Sequence, residues 1–241
     1  MLSAIAGPAP RRRGTPWPGL LTTGAATLAP AALLARRVPG WPLWAGAALM
    51  PWAYLLALRP RALRWGATPA EVAAPLPGDD LVPRPTVEAT RAITIAAPPA
   101  AVWPWIVQIG YGRAGFYSYA PVERALGLHG LHNADAILPE FQHLAVGDRV
   151  PQTPTAGWTV RALDPPHTMV WAADDLYSWT WALAPRADGG TRLVVRTRIR
   201  YPRTALWAAF FVLQEAGGEF LMLRQLLRGL QARAEHATPA T

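Results

Sequence analysis

Four strand-like runs follow one another in the second half of the chain with only turn residues between them, and this constrains the fold more than any other feature. The runs are GWTVRAL, HTMVWAA, SWTWALA and TRLVVRTRIRY, separated by breakers such as Asp164-Pro165-Pro166 and Asp188-Gly189-Gly190. Strands joined by short turns pair antiparallel, because a parallel pair needs a crossover of a dozen or more residues. In the last run Leu193, Val195, Thr197, Ile199 and Tyr201 alternate with Arg192, Arg196, Arg198 and Arg200, which predicts one apolar face and one wet face. Upstream, TRAITIAA alternates in the same way, and PPAAVWPWIVQIG reads as a helix opened by proline and closed by glycine. Downstream, Phe220, Leu223, Leu227, Leu230 and Ala234 recur every three or four residues with arginines between them, which predicts an amphipathic C-terminal helix.

Gly110, Gly112 and Gly115 stand at G-x-G-x-x-G spacing, with Asp135 twenty residues beyond the last glycine. A dinucleotide-binding unit also needs a strand before the glycines, a helix after them and a second parallel strand. Here a proline-led helix precedes them and an aromatic stretch broken by Pro121 follows. The glycines therefore predict a tight turn at a helix end, placing Arg113, Tyr117 and Tyr119 where the chain leaves the helix.

Charge is distributed unevenly. Residues 1–65 hold eight arginines and no acid, whereas residues 66–241 hold fifteen of each, so the net charge of +8 belongs to the first quarter. A basic footprint on the later domain is absent, which argues against a nucleic-acid partner. All 23 basic residues are arginine, as GC-rich bacterial genomes favour, and there is no cysteine, so disulfides and thiolate chemistry are excluded. Residues 14–35 and 38–58 carry no charge, and each run is near the roughly 20 residues that span a bilayer as a helix. They predict a membrane anchor over 1–65, of one or two transmembrane helices. Pro30 weakens the first, and a signal peptide is its alternative. Arginine placement puts both ends in the cytoplasm, so the expected location is the bacterial cytoplasmic membrane with the soluble domain facing the cytoplasm. Residues 66–88 read as a Pro-rich, fairly stiff linker in which Thr68 and Glu71 form a capping box, residues 89–236 as the folded domain, and 237–241 as a tail.

Glu123, Asp135, Glu140, Asp148, Asp174, Asp175 and the five histidines form no tight acid–base motif. His129 and His132, beside Asp135, sit in a Gly/Asn loop rather than on a helix, so no metal and no cofactor is expected. The tryptophans are more informative. Trp103, Trp105, Trp158, Trp171, Trp179 and Trp181 fall on the helix and strands, and period two puts Trp179 and Trp181 on one face. They serve either as plain core or as cavity wall. For a cavity, Trp105, Trp179 and Trp181 are the candidate lining, and Gln108, Arg113, Tyr117, Tyr119, Glu140 and Gln142 the candidate polar anchors. The run Ala205–Leu213 is too short to span a bilayer; burial is expected over dipping into the membrane surface.

The stretches TRAITIAAPPAAVWPWIVQIGYGRAGFYSY, ILPEFQHLAVGDRVP, WTWALAPRADGGTRLVVRTRIR and GGEFLMLRQLLRGLQARAE resemble the SRPBCC superfamily, the START-like group of polyketide cyclases and lipid-transfer domains. The resemblance covers about residues 86–236. It implies an α+β helix-grip fold: a curved antiparallel sheet wrapped around a long C-terminal helix and an apolar cavity, here preceded by the transmembrane helical hairpin. The function it implies is binding of a hydrophobic small molecule or lipid. A cyclase- or dehydratase-like enzyme is the alternative, and a partner-binding protein with a filled cavity a second one.

Overall fold

The computed structural model describes Leu49 and residues 52–125, 131–202, 204–214 and 219–237. Contacts divide the chain into Met1–Leu55 and Leu56–Thr241. The first apolar run and most of the second lie outside the described residues. Among the described residues no helix is long and apolar enough to cross a membrane.

After a short helix α1 (Arg59–Leu63) and a single turn α2 (Pro69–Ala73), the chain enters β1 (Val87–Ile95) and then α3 (Pro99–Val107). Helix α4 (Ala120–Ala125) leads to an irregular segment ending at β2 (Arg149–Pro151). Strands β3 (Gly157–Asp164), β4 (Thr168–Ala173), β5 (Tyr177–Pro185) and β6 (Thr191–Ile199) follow as a meander, then α5 (Ala205–Gln214) and α6 (Phe220–Ala237). The six strands form one sheet in the order β1-β6-β5-β4-β3-β2, with every neighbouring pair antiparallel. A six-stranded antiparallel sheet carrying a long C-terminal helix is the helix-grip arrangement that the resemblance implies.

Residues directly opposite in an antiparallel pair share a face. Trp171 pairs with Trp179, while Trp181 pairs with Val195 and Leu183 with Leu193. These form one core with Val102, Trp105 and Ile106 of α3 and with Leu223, Leu226, Leu227, Leu230 and Ala234 of α6. The expected apolar stripe of the C-terminal helix is thus the stripe that meets the sheet, each fully buried Leu being worth roughly 1.5–3 kcal/mol.

The opposite face of the sheet is not wet at its centre, although Glu88, Thr94 and Arg161 are exposed. Arg196 is only 2% exposed, because residues 66–82 lie across this face instead of standing away from it as a spacer. Glu71 caps α2 through Thr68 and pairs bidentately with Arg192 at 2.7 and 2.9 Å. Arg196 donates to Asp79, to the Ala74, Glu71 and Val72 carbonyls and to Thr90. Arg198 reaches Asp79 and Glu88 and the Val82 carbonyl. The alternation in β6 correctly separates the two faces; what it cannot register is that a distant acidic, carbonyl-rich segment covers the arginine one.

Candidate functional site

The inner face of the sheet presents a continuous wall of aromatic rings. Trp158 stacks on Trp171 with ring centroids 5.6 Å apart, Trp179 stacks on Trp181 at 4.9 Å, and Trp171 meets both of the latter edge-on at 5.4 Å. Tyr177 extends the wall toward one end, 5.9 Å from Trp158. Trp171 and Trp181 are fully buried and Trp158 and Trp179 nearly so. Yet the indole N–H groups of Trp171, Trp179 and Trp181 have no hydrogen-bond partner. A buried donor left unmet costs about 1–3 kcal/mol, and buried Trp normally finds an acceptor. Three such donors on adjacent strand positions form a surface suited to apolar, ring-bearing matter that also carries acceptor oxygens.

The expected polar anchors divide into three groups. Gln108, Tyr117 and Gln142 do come together, as a closed network. The Gln108 amide donates to the Tyr117 hydroxyl (2.8 Å) and the Ala136 carbonyl, and its oxygen accepts from the Leu138 N–H and from Gln142. The Tyr117 hydroxyl in turn donates to the Trp105 carbonyl at 3.0 Å. Burial pushes the Tyr117 phenol up to about 12, against the lowering effect of Gln108, so it stays protonated at any physiological pH. The network fastens α3 to the 136–142 segment.

Arg113 belongs to the same shell. Its guanidinium donates to the Val107 and Phe141 carbonyls and lies 4.5 Å over the Phe141 ring. Burial pulls its pKa down, with Asp148 acting the other way. Tyr119 and Glu140 stand apart, both exposed. Trp105, Trp179 and Trp181 sit in the core as the cavity reading requires. Of the expected site residues, the three tryptophans thus lie in the core, Gln108, Tyr117, Gln142 and Arg113 hydrogen-bond within the protein, and Tyr119 and Glu140 are exposed.

The turn that positions this scaffold is the glycine stretch. Gly110 and Gly115 bridge each other across a tight loop with φ of +146° and +76°, and Tyr117 itself has φ +53°. Asn133 holds that conformation by accepting from the Phe116 and Tyr117 N–H groups and donating to the Ser118 carbonyl. Gly229 of α6 makes room for it, since a Cβ there would lie 2.5 Å from the Tyr117 carbonyl oxygen.

Two buried charged groups complete the surroundings. Arg91 of β1 shares the inner face with its partner Val195. It is buried and forms a bidentate pair with Glu219 at 2.9 Å, with Nε on the Ala62 carbonyl of α1. Glu123 in α4 is buried with neither carboxylate oxygen partnered, and burial raises its pKa. Sequence reasoning left Trp158 and Trp171 out of the lining. For Trp171, the run MVWAA of β4 is apolar throughout, so periodicity gives no sign of which residues face inward. Among the described residues no three metal-ligating side chains stand together, and His129 lies outside them.

No protein-family model matches the chain, and no curated protein matches it either. Solved structures similar to it include a polyketide-cyclase-like protein of Corynebacterium glutamicum, at 15% identity over 64% of this chain and 97% of that one, TM-score 0.38. The self-sacrificing resistance protein CalC of Micromonospora echinospora is similar at 12% identity over 64% and 97%, TM-score 0.42. The Aha1 dimer of Colwellia psychrerythraea is similar at 15% identity over 62% and 97%, TM-score 0.36.

Proposed function

We propose that this chain is a membrane-tethered helix-grip domain that binds a hydrophobic small molecule or lipid between the inner face of its sheet and the C-terminal helix. The observation that carries the reading is the set of three buried, unpartnered indole donors on Trp171, Trp179 and Trp181. A ligand with a flat apolar body and one or more carbonyl or hydroxyl oxygens would stack on the wall and satisfy donors that the ligand-free fold leaves unmet. The bilayer tether rests on the uncharged runs 14–35 and 38–58.

The cyclase- or dehydratase-like alternative needs a group that moves a proton. Tyr117 donates to a backbone carbonyl, Arg113 is held by two more and Glu140 is exposed, so these residues do not assemble an acid–base pair. The filled-core reading has one observation in its favour, the close mutual packing of the tryptophans.

The test is native mass spectrometry of the full chain from its own host, followed by titration with an apolar naphthyl ketone as probe. Binding that weakens about two- to tenfold in Trp171→Phe and Trp181→Phe, which keep an aromatic ring but lose the N–H, supports the proposal. A chain that carries no passenger and takes up no probe is the filled-core protein, and equal binding by the Phe variants removes the indole donors from recognition.

A further inference from the structure

Six of the exposed apolar side chains of the domain belong to segments that meet at or lead away from one end of the sheet, while others, Val146 and Ile137 among them, lie elsewhere along the chain. Strand β6 ends at Ile199, opposite Val87 at the start of β1 and Tyr177 at the start of β5. The Arg200 N–H bonds to the Leu176 carbonyl there. From this end the chain runs into α5, and α6 starts soon after, with Glu219 on Arg91 and Phe220 beside Trp65. Arg91 also holds α1 through Ala62. Around this group stand Leu58, Leu176, Leu206, Trp207, Phe210 and Leu221, each 43–79% exposed. Scattered exposed apolar residues need no explanation, but a contiguous set marks an interaction surface. At the other end of the sheet, the β5–β6 turn shows only Pro185, Ala187, Gly189 and the exposed pair Arg186–Asp188. Helix α5 carries no charge in its first or last turn. Its expected burial is thus corrected at Leu206, Trp207 and Phe210, which face outward.

We infer that this end of the domain docks on a lipid bilayer, with α5 lying in the interface plane. Two observations select a bilayer over a protein partner. The uncharged run 38–58, on which the proposed tether rests, ends in sequence at Leu58, which directly precedes α1. Just beyond it Arg61 and Arg64 are exposed, placed to meet anionic headgroups as apolar residues enter the acyl boundary. At ten residues, α5 is about half the length that crosses a bilayer, so the exposed parts of Leu206, Trp207 and Phe210 can enter lipid only with the helix lying on the surface. Docking is independent of ligand binding, since an empty grip would dock equally well.

The chain contains no cysteine, so Leu206→Cys, Phe210→Cys and Asp188→Cys each give one labelling site for a nitrobenzoxadiazole fluorophore. The full chain is reconstituted in phosphatidylcholine–phosphatidylglycerol vesicles carrying nitroxides either near the headgroup or deep in the acyl chain. The expected result is quenching at 206 and 210 at least about twofold stronger than at 188, and stronger from the shallow nitroxide than the deep one, since an interfacial helix sits about 5–10 Å into the boundary. Quenching at 206 and 210 no greater than at 188 overturns the inference. So does a blue-shifted label that lipid does not quench, the sign of a protein surface covering α5. Leu206 is 79% exposed, so its substitution leaves the fold intact.

Discussion

The two faces of the sheet treat their polar groups in opposite ways. On the outer face, guanidinium groups are buried, and Arg196 and Arg192 both find acceptors in residues 66–82. On the inner face the rings are equally buried, but three indole donors find none. Burying a charge without partners is far more expensive than burying a neutral N–H, so the outer face had to be completed by the chain itself. The inner face tolerates incompleteness at a cost of a few kcal/mol, which is the observation behind the proposed binding there. Arg91 sharpens the contrast: the one cation among the apolar inner positions of β1 is matched bidentately by Glu219.

The largest effect is expected where a charge pair is broken. Arg196→Ala leaves Asp79 without that partner and opens a void under residues 71–82; a loss of about 3–5 kcal/mol is expected in urea denaturation. A loss under 1 kcal/mol would mean that the outer face is solvated after all. Glu71→Ala removes the reciprocal half of the α2 capping box and the Arg192 pair, for about 1–2 kcal/mol, and should expose residues 66–82 to limited proteolysis while the sheet stays intact. The same contact has a pH signature. Arg192 holds the Glu71 carboxyl down to about 2 against an ordinary 4.5. Its contribution is therefore complete above about 4.5 and is lost as pH falls through about 2. The acid limb of the wild-type stability profile should flatten in Glu71→Ala.

On the inner face, Trp181→Phe should change ligand-free stability by under about 1 kcal/mol, because lost ring contact is offset by removal of an unmet donor. A loss of several kcal/mol would mean that the indole N–H has a partner in solution. Glu123 is an unmet group of the same kind that titrates. Burial raises its pKa, so the folded state binds the proton more tightly than the unfolded one, and stability falls as pH rises above the ordinary carboxylate range. Glu123→Gln should therefore raise Tm at neutral pH and leave it nearly unchanged in acid. An equal shift at both pH values would remove ionisation as the cause.

Much of the fold was legible locally. The strand meander after residue 157, the Thr68–Glu71 capping box, the Gly110–Gly115 turn and the stripe of α6 are each written in residues a few positions apart. The candidate site was legible as residue types but not as roles. Gln108 and Tyr117 resemble ligand anchors in sequence, but no local pattern registers that Gln108 accepts from the Leu138 N–H thirty residues away. Periodicity also misjudged the arginine face of β6 and the positions Leu206, Trp207 and Phe210, since neither the cover on one nor the exposure of the others is a property of neighbours along the chain.

The sequence by itself therefore determined the antiparallel class, the partition of β6 into two faces and the amphipathic C-terminal helix, because those depend on backbone propensity and on side-chain alternation at short range. Only the tertiary structure decided which arginines are paired, which polar side chains are already satisfied and which buried donors remain open. Those outcomes depend on contacts between residues as far apart as Glu71 and Arg192 or Arg91 and Glu219, and such contacts exist only once the chain has closed on itself.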